Sequence, residues 1–214
     1  MTKINPNNCR IIHGTTLVAN ALIERKGSKT ALLTTQGFKD VLEIGREGRY
    51  DLFSLGLEMP SPIVPRNLRF EVTERVNFKG EIVKNLLEDE LIKIAKIIEK
   101  SGVKTLAIVF LHSFKNSKNE NLAKNVIQKE LPDLNICLSS VVSPEIGEYE
   151  RTSTCVANAY VQPVFKNYVN SLVEGLKKIG ISNDLFLMLS DGGIVHQKTA
   201  IQFPIRLVQS GPAG

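Results

Sequence analysis

A chain of 214 residues with 43% hydrophobic content is long enough for one large domain or two small ones, and it can bury a core. Its longest apolar runs are strand-sized, the opening residues 1–8 are polar, and the reading is a chain without a bilayer span or signal peptide, expected in the cytoplasm. The net charge of +5 comes from Lys and Arg interleaved with Glu and Asp, with no arginine-rich tract and no aromatic–basic alternation, which argues against a nucleic-acid partner.

Asn5-Pro6-Asn7-Asn8 reads as a turn cluster. Ile11-Ile12-His13-Gly14-Thr15-Thr16 then reads as strand and tight turn, leading into a helix that ends near Arg25-Lys26-Gly27 with Gly27 as its C-cap. Gly14 allows close backbone approach, and the helix N-terminus offers free N–H groups to an anion. The plainer alternative is a Thr-capped helix with a locally packed His13.

Thr30 to Thr35 reads as a buried strand, followed by a short helix from Lys39 to Ile44. Thr34 and Thr35 are expected on the same sheet rim as Thr15 and Thr16. Residues 45–66, rich in Gly and Pro, read as a long loop in which Arg46 and Arg49 could meet an anion. Leu68, Phe70 and Val72 alternate with Arg69, Glu71 and Thr73, the pattern of a half-exposed strand. With a turn at Asn77 to Gly80 and a return at Glu81 to Val83, it predicts a hairpin.

Amphipathic helices are expected over Asp89 to Lys100 and Glu120 to Leu131, and buried strands over Thr105 to Leu111 and Leu134 to Leu138. That alternation predicts a mostly parallel sheet with helical cover. His112 and Ser113 fall at a strand end, on the rim where ligands bind. A long helix is expected from about Thr152 to Lys178, broken or kinked at Pro163, with Glu148, Glu150 and Arg151 facing a ligand or one another at its start.

Leu185 to Leu189 reads as a strand ending in Ser190-Asp191-Gly192-Gly193, a turn or a weak phosphate motif. Ile205 to Val208 reads as a last strand running into Ser210-Gly211-Pro212-Ala213-Gly214, a loop of the kind that begins a phosphate cradle. Cys9, Cys137 and Cys155 have no metal-ligand spacing and read as reduced thiols, so no protein metal centre is expected.

Taken together, several stretches resemble the hydantoinase A / 5-oxoprolinase family, which includes the acetone carboxylase β subunit. They are His13-Gly14-Thr15-Thr16 with Asn20 to Gly27, Thr34 to Arg46, Glu148 to Thr154, Asn158 to Pro163, Ser190 to Gly193 and Ser210 to Gly214, in family order. The resemblance implies part of an actin-like, ribonuclease-H-like α/β ATPase fold, with a first module over 1–144 and the start of a second over 145–214. It implies ATP, with Mg²⁺, used to open a cyclic amide such as 5-oxoproline or an N-methylhydantoin. Alternatives are a non-catalytic assembly module and an acetone carboxylase-type subunit.

By the same resemblance, His13, Thr15 and Thr16 belong to catalysis, and Asn20, Arg46, Glu148 and Arg151 to the substrate. Asp191, Gly192, Gly193, Ser210, Gly211 and Gly214 would serve the nucleotide phosphates. Family members carry Asp-x-Gly-Gly-Thr loops before the first stretch and after the last, and neither occurs here; Asp191-Gly192-Gly193 is followed by Ile194. The expectation is a piece of a larger enzyme, inactive alone and completed by its missing parts or by a hydantoinase B-type subunit.

Overall fold

The computed structural model describes residues 10–46, 48, 60–181 and 183–211. The turn at residues 5–8, Cys9, Arg49, Gly214 and most of the 45–66 loop lie outside them. In chain order the elements are β1 (Ile11–His13), α1 (Leu17–Ile23), β2 (Thr30–Thr35), α2 (Val41–Ile44), β3 (Arg69–Val72), β4 (Arg75–Val76) and β5 (Ile82–Lys84). There follow α3 (Glu88–Ser101), β6 (Thr105–Val109), α4 (Lys118–Glu130), β7 (Asn135–Leu138), α5 (Ser139–Val142), α6 (Glu148–Lys178), β8 (Leu185–Met188), β9 (Ile194–His196) and α7 (Gln197–Gln202). They form two compact units, one from Met1–Ser28 with Val161–Gly214, the other from Lys29–Tyr160. This contact-based division differs from 1–144 and 145–214, which follows sequence families.

The Lys29–Tyr160 unit is built on a parallel sheet of order β3-β2-β6-β7. Every residue of β2 and β6 is buried, as their unbroken apolar and β-branched runs require of central parallel strands. The threonines among them are bonded rather than orphaned: Thr30 and Thr105 share a 2.7 Å hydroxyl bond across the two strands. The helix α3 lays Leu91, Ile94, Ala95 and Ile98 into the core. It carries Glu88, Asp89 and Glu90 at its positive end and closes on Gly102 at φ 67°. Leu91, Ile94 and Ile98 each contribute about 1.5–3 kcal/mol on burial, and the Ala95 methyl about 0.8 kcal/mol.

The other unit holds a mixed sheet of order β1-β8-β9, with β1 and β8 parallel and β8 and β9 antiparallel. Val18 and Ala21 of α1, Phe165 and Val169 of α6, Leu185 and Leu187 of β8, Ala200 and Leu207 make up its buried core.

Several expectations are corrected. β1 and β2 belong to different sheets, so Thr15, Thr16, Thr34 and Thr35 do not share one rim. The Arg69–Val72 strand is a member of the parallel sheet, and the hairpin is the separate pair β4–β5. Arg69, read as solvent-facing, is buried. The first helix closes one turn early, with Arg25 rather than Gly27 in the left-handed conformation (φ 56°). Lys26 N–H bonds to Ala21 O at 2.9 Å and Arg25 N–H to Leu22 O at 3.4 Å, the bond pattern of a Schellman end. Pro163 lies inside a helix that continues past it. Residues Pro204–Leu207 form a 3₁₀ turn instead of a strand, with Pro204 fixing its first φ.

Candidate functional site

In the unit that contains β1, the strand delivers His13, Gly14, Thr15 and Thr16 to the start of α1. Thr15 Oγ1 accepts the Leu17 N–H at 3.2 Å, and Thr16 Oγ1 accepts from the Asn20 amide at 3.4 Å. The buried Ser210 hydroxyl is bound to Thr15 from both sides. It accepts the Thr15 N–H at 3.4 Å and donates to the Thr15 carbonyl at 2.8 Å, across 195 residues of sequence.

Both neighbouring glycines serve this approach. A Cβ on Gly14 would meet the Ser210 carbonyl at 3.4 Å, and one on Gly211 would meet Thr16 Cγ2 at 2.7 Å. The chain's two Gly-and-hydroxyl stretches therefore interlock, which spacing along the sequence could not show. On the same unit, His13 Nε2 lies 2.7 Å from the hydroxyl of Tyr168, on α6. Tyr168 went unnoticed in the sequence; its only signal is the 165/168/169 spacing of the helix's inward face.

Asp191, Gly192 and Gly193 form the turn of the β8–β9 hairpin. Asp191 Oδ1 accepts the Gly193 N–H at 2.9 Å, and Gly192 takes φ 82°, open to glycine alone at no steric cost. The preceding Ser190 ties this turn to the segment leading into Ser210. Its N–H reaches the Arg206 carbonyl at 2.9 Å, and its hydroxyl accepts the Gln209 N–H at 3.0 Å. The residues assigned to phosphate thus share one unit and one bonded framework, with Gly214 outside the described residues.

The substrate-assigned residues divide differently. Asn20 is exposed beside Thr16. Arg46, Glu148 and Arg151 lie in the Lys29–Tyr160 unit. Arg46 and Glu150 pair at 2.7 Å on the surface, and the Arg46 guanidinium holds the Glu150 carboxyl below its usual range. Gly147 makes room for that pair, since a Cβ there would sit 2.6 Å from Glu150 Oε2.

Arg151 is fully buried at the carboxyl end of the parallel sheet. Its Nη2 donates to Phe110 O at 2.6 Å, Ser113 Oγ at 2.6 Å and Ser139 Oγ at 2.8 Å, while Phe114 covers the guanidinium at 5.5 Å. Burial lowers its pKa from the ordinary arginine value. Ser139 Oγ also donates to Glu120 Oε1 at 2.6 Å, and Glu120 accepts the N–H groups of Phe110 (3.1 Å) and Ser140 (2.9 Å).

A second buried carboxylate, Glu74, is bonded by the Thr35 hydroxyl and by the Asn119 amide at 2.7 Å. Desolvation raises its pKa. The Cys137 and Cys155 thiols are buried, and desolvation pushes Cys137 up to about 11, which suits packing rather than nucleophilic attack. Among the described residues no three His, Cys, Asp or Glu side chains converge on a metal-sized site, and no helix is long and apolar enough to cross a membrane.

Two family models match the chain: the hydantoinase/oxoprolinase N-terminal region over residues 4–131 and hydantoinase/oxoprolinase over residues 151–214. An uncharacterized protein of Methanocaldococcus jannaschii is 42% identical over 95% of this chain and 30% of its own length. The 5-oxoprolinase of Saccharomyces cerevisiae is 34% identical over 94% of this chain and 17% of its own. The crystal structure of ATP-dependent caprolactamase from Pseudomonas jessenii superposes with a TM-score of 0.84 at 32% identity, over 97% of this chain and 30% of that one. The chain therefore spans less than a third of the length of each of these three proteins.

Proposed function

This chain belongs to the hydantoinase/oxoprolinase family, and from that premise we propose that it is part of an ATP-dependent enzyme that opens a cyclic amide, of the 5-oxoprolinase or N-methylhydantoinase kind. Its fold class is that of actin-like ATPases: α/β, with a parallel and a mixed sheet. The single observation that supports the reading is the interlock of the His13–Thr16 turn with Ser210–Gly211, because it bonds a stretch proposed for catalysis to one proposed for phosphate.

The chemistry is consistent with that placement. A ring amide is a poor electrophile, and phosphoryl transfer from ATP to its carbonyl oxygen would supply a leaving group. Water would then add at the carbon, the C–N bond would break as the nitrogen takes a proton, leaving an acyl phosphate on the opened chain, and a second water would release phosphate and the free carboxylate. His13, steadied by Tyr168, is suited to hold or move a proton there, while Thr15 and Thr16 set the turn. Gly192, with open space about its Cα, leaves room for a phosphate oxygen beside Asp191, while Gly14 and Gly211 let the Thr15–Thr16 turn and Ser210 close on each other.

Mg²⁺ would ride on the phosphates, since Asp191 alone offers a carboxylate in this group. Asn20, Arg46, Glu148 and Arg151 remain the substrate assignments. A division into family modules at 1–144 and 145–214 and a cytoplasmic setting, where ATP is available, complete the reading. So does completion by the remaining enzyme or a hydantoinase B-type subunit.

The test is ATP-dependent hydrolysis of 5-oxoproline and of hydantoin by the chain alone and reconstituted with such a subunit. Activity only on reconstitution is expected, with His13→Ala lowering it at least tenfold while circular dichroism is unchanged. A wild-type rate in His13→Ala would sink the assignment.

A further inference from the structure

A two-stranded hairpin is marginal in water by itself, so one that stands apart from the main sheet needs other supports. The β4–β5 hairpin has them at both ends, on the loops that follow β2 and β6. At its base, Arg75 donates to the Gln36 carbonyl at 3.2 Å and covers Phe38 at 5.3 Å, while the adjoining Glu74 is held by Thr35 and Asn119. At its tip, Asn116 donates to the Gly80 carbonyl at 2.7 Å. Asn77 Oδ1 accepts the Lys79 and Glu81 N–H groups at 2.9 and 3.0 Å, which fixes the turn from within.

The side chains that this firmly held hairpin presents are apolar and cationic. Phe78 at the turn is 67% exposed, and Val83 on β5 is 59% exposed. Lys79 lies over the Phe78 ring at 5.8 Å. Lys115 packs against Gly80, where an added Cβ would lie 3.5 Å from its own. Lys84 stands across the ladder from Arg75, and like charges on facing strands oppose the pairing. Lys79, Lys84 and Lys115 are exposed, and none has an ion pair among the described residues.

We propose that the β4–β5 hairpin is a docking surface for a protein partner that offers an apolar socket to Phe78 and Val83, ringed by Asp and Glu carboxylates for the lysines. The turn that presents Phe78 is already ordered, so its capture loses little entropy. The lysines steer an acidic surface towards the hairpin, and carboxylates there relieve their mutual repulsion. The Glu81 carboxylate, bound by the Asn77 amide at 2.8 Å within the patch, opposes a continuous polyanion such as nucleic acid or an acidic lipid surface. A protein socket can meet it with a donor.

The partner is the subunit that completes the enzyme, a choice that rests on the completion proposed above. Most of the length of each relative lies outside the part that this chain matches, so further protein surface is there to be met. A partner seated on the hairpin adjoins the loops after β2 and β6, at the carboxyl end of the sheet where ligands of α/β proteins bind.

The test is calorimetric titration of the whole chain with the purified hydantoinase B-type subunit used for reconstitution, at low and at high salt. Wild type should bind saturably, and more weakly as salt is raised. Phe78→Ser should weaken binding about tenfold or more. The double variant Lys79→Glu, Lys115→Glu should weaken it and lose most of the salt dependence. Ile97→Ser, at a comparably exposed aliphatic position on α3, should bind as wild type does. All these side chains are exposed, so the urea midpoints should match; should Phe78→Ser fail to fold, Val83→Ser takes its place.

No binding by wild type, wild-type binding by Phe78→Ser, an equal loss in Ile97→Ser, or tighter binding by the charge-reversed variant would each overturn the proposal. So would binding of phosphatidylserine vesicles or single-stranded DNA that Phe78→Ser abolishes while the subunit still binds. Ring opening is read separately. A Phe78-dependent complex that opens no ring supports docking and refutes the ATP-coupled reading, whereas ring opening indifferent to Phe78→Ser does the reverse.

Discussion

The Ser210 hydroxyl both donates to the Thr15 carbonyl, at 2.8 Å, and accepts the Thr15 N–H, at 3.4 Å, so one side chain satisfies both polar groups of one peptide residue. Ser210→Ala removes both bonds at a buried site. It should lower stability by about 1–3 kcal/mol, read as a fall in the urea midpoint. Ser210→Thr, which keeps the oxygen, should recover part of the loss. A midpoint unchanged in Ser210→Ala would mean that the two loops do not support each other in solution.

Gly211 is required by Thr16 rather than by its own backbone angles. Gly211→Ala would drive a methyl to 2.7 Å from Thr16 Cγ2 and should cost about 1–3 kcal/mol. Thr16→Ser removes that methyl, so the double variant should be more stable than Gly211→Ala alone. Additive losses in the double-mutant cycle would show that the clash lies elsewhere.

Tyr168→Phe deletes the hydroxyl 2.7 Å from His13 Nε2 and leaves the ring in place. The stability change should stay within about 0.5–1.5 kcal/mol. Ring-opening activity of the reconstituted enzyme should fall several-fold, with the pH–rate profile displaced. A profile identical to wild type would make Tyr168 a packing residue only.

Glu74 gives a pH dependence with a definite sign. Burial raises its carboxyl above the ordinary 4.5, so the folded state holds a proton that the unfolded chain has already lost. Its contribution is fully present below the ordinary carboxylate range and is lost as pH rises through the elevated folded value. Wild type should therefore lose stability relative to Glu74→Gln as pH climbs from about 4 towards neutrality, measured by urea unfolding at a series of pH values. A difference that does not vary with pH would refute the raised carboxyl.

Much of this architecture is legible in residue pattern, because β2, β6 and α3 carry periods that only one environment satisfies. What escaped depends on partners distant in sequence. Arg69 alternates with apolar residues as a surface residue would, yet its Nε reaches the Val64 carbonyl at 2.9 Å and its Nη2 reaches Glu43 at 3.1 Å, and those contacts make burial tolerable. Arg69→Met should accordingly cost about 1–3 kcal/mol by thermal or urea unfolding, since it strands the buried Val64 carbonyl while the half-exposed Glu43 turns to solvent.

Glu120 stands three residues after Ser117, the spacing of a helix-capping acid, but its carboxylate leaves the helix for Phe110, Ser139 and Ser140. Ile205 to Val208 has strand composition, and Pro204 with a short run settled the matter locally as a 3₁₀ turn. In the candidate site the individual stretches were visible, but the contacts between Thr15 and Ser210 and between His13 and Tyr168 were not.

In the order of the chain, Lys29–Tyr160 falls between Met1–Ser28 and Val161–Gly214, the two segments of the other unit. During ribosomal synthesis, Lys29–Tyr160 has its complete parallel sheet available as soon as it emerges. The first strand must wait for β8, its only ladder partner among the described residues, and the His13–Thr16 turn must wait for Ser210. Folding is thus ordered by the chain itself: the interior segment first, and the His13–Thr16 turn among the last features to set, when the Ser210 hydroxyl arrives to fix it.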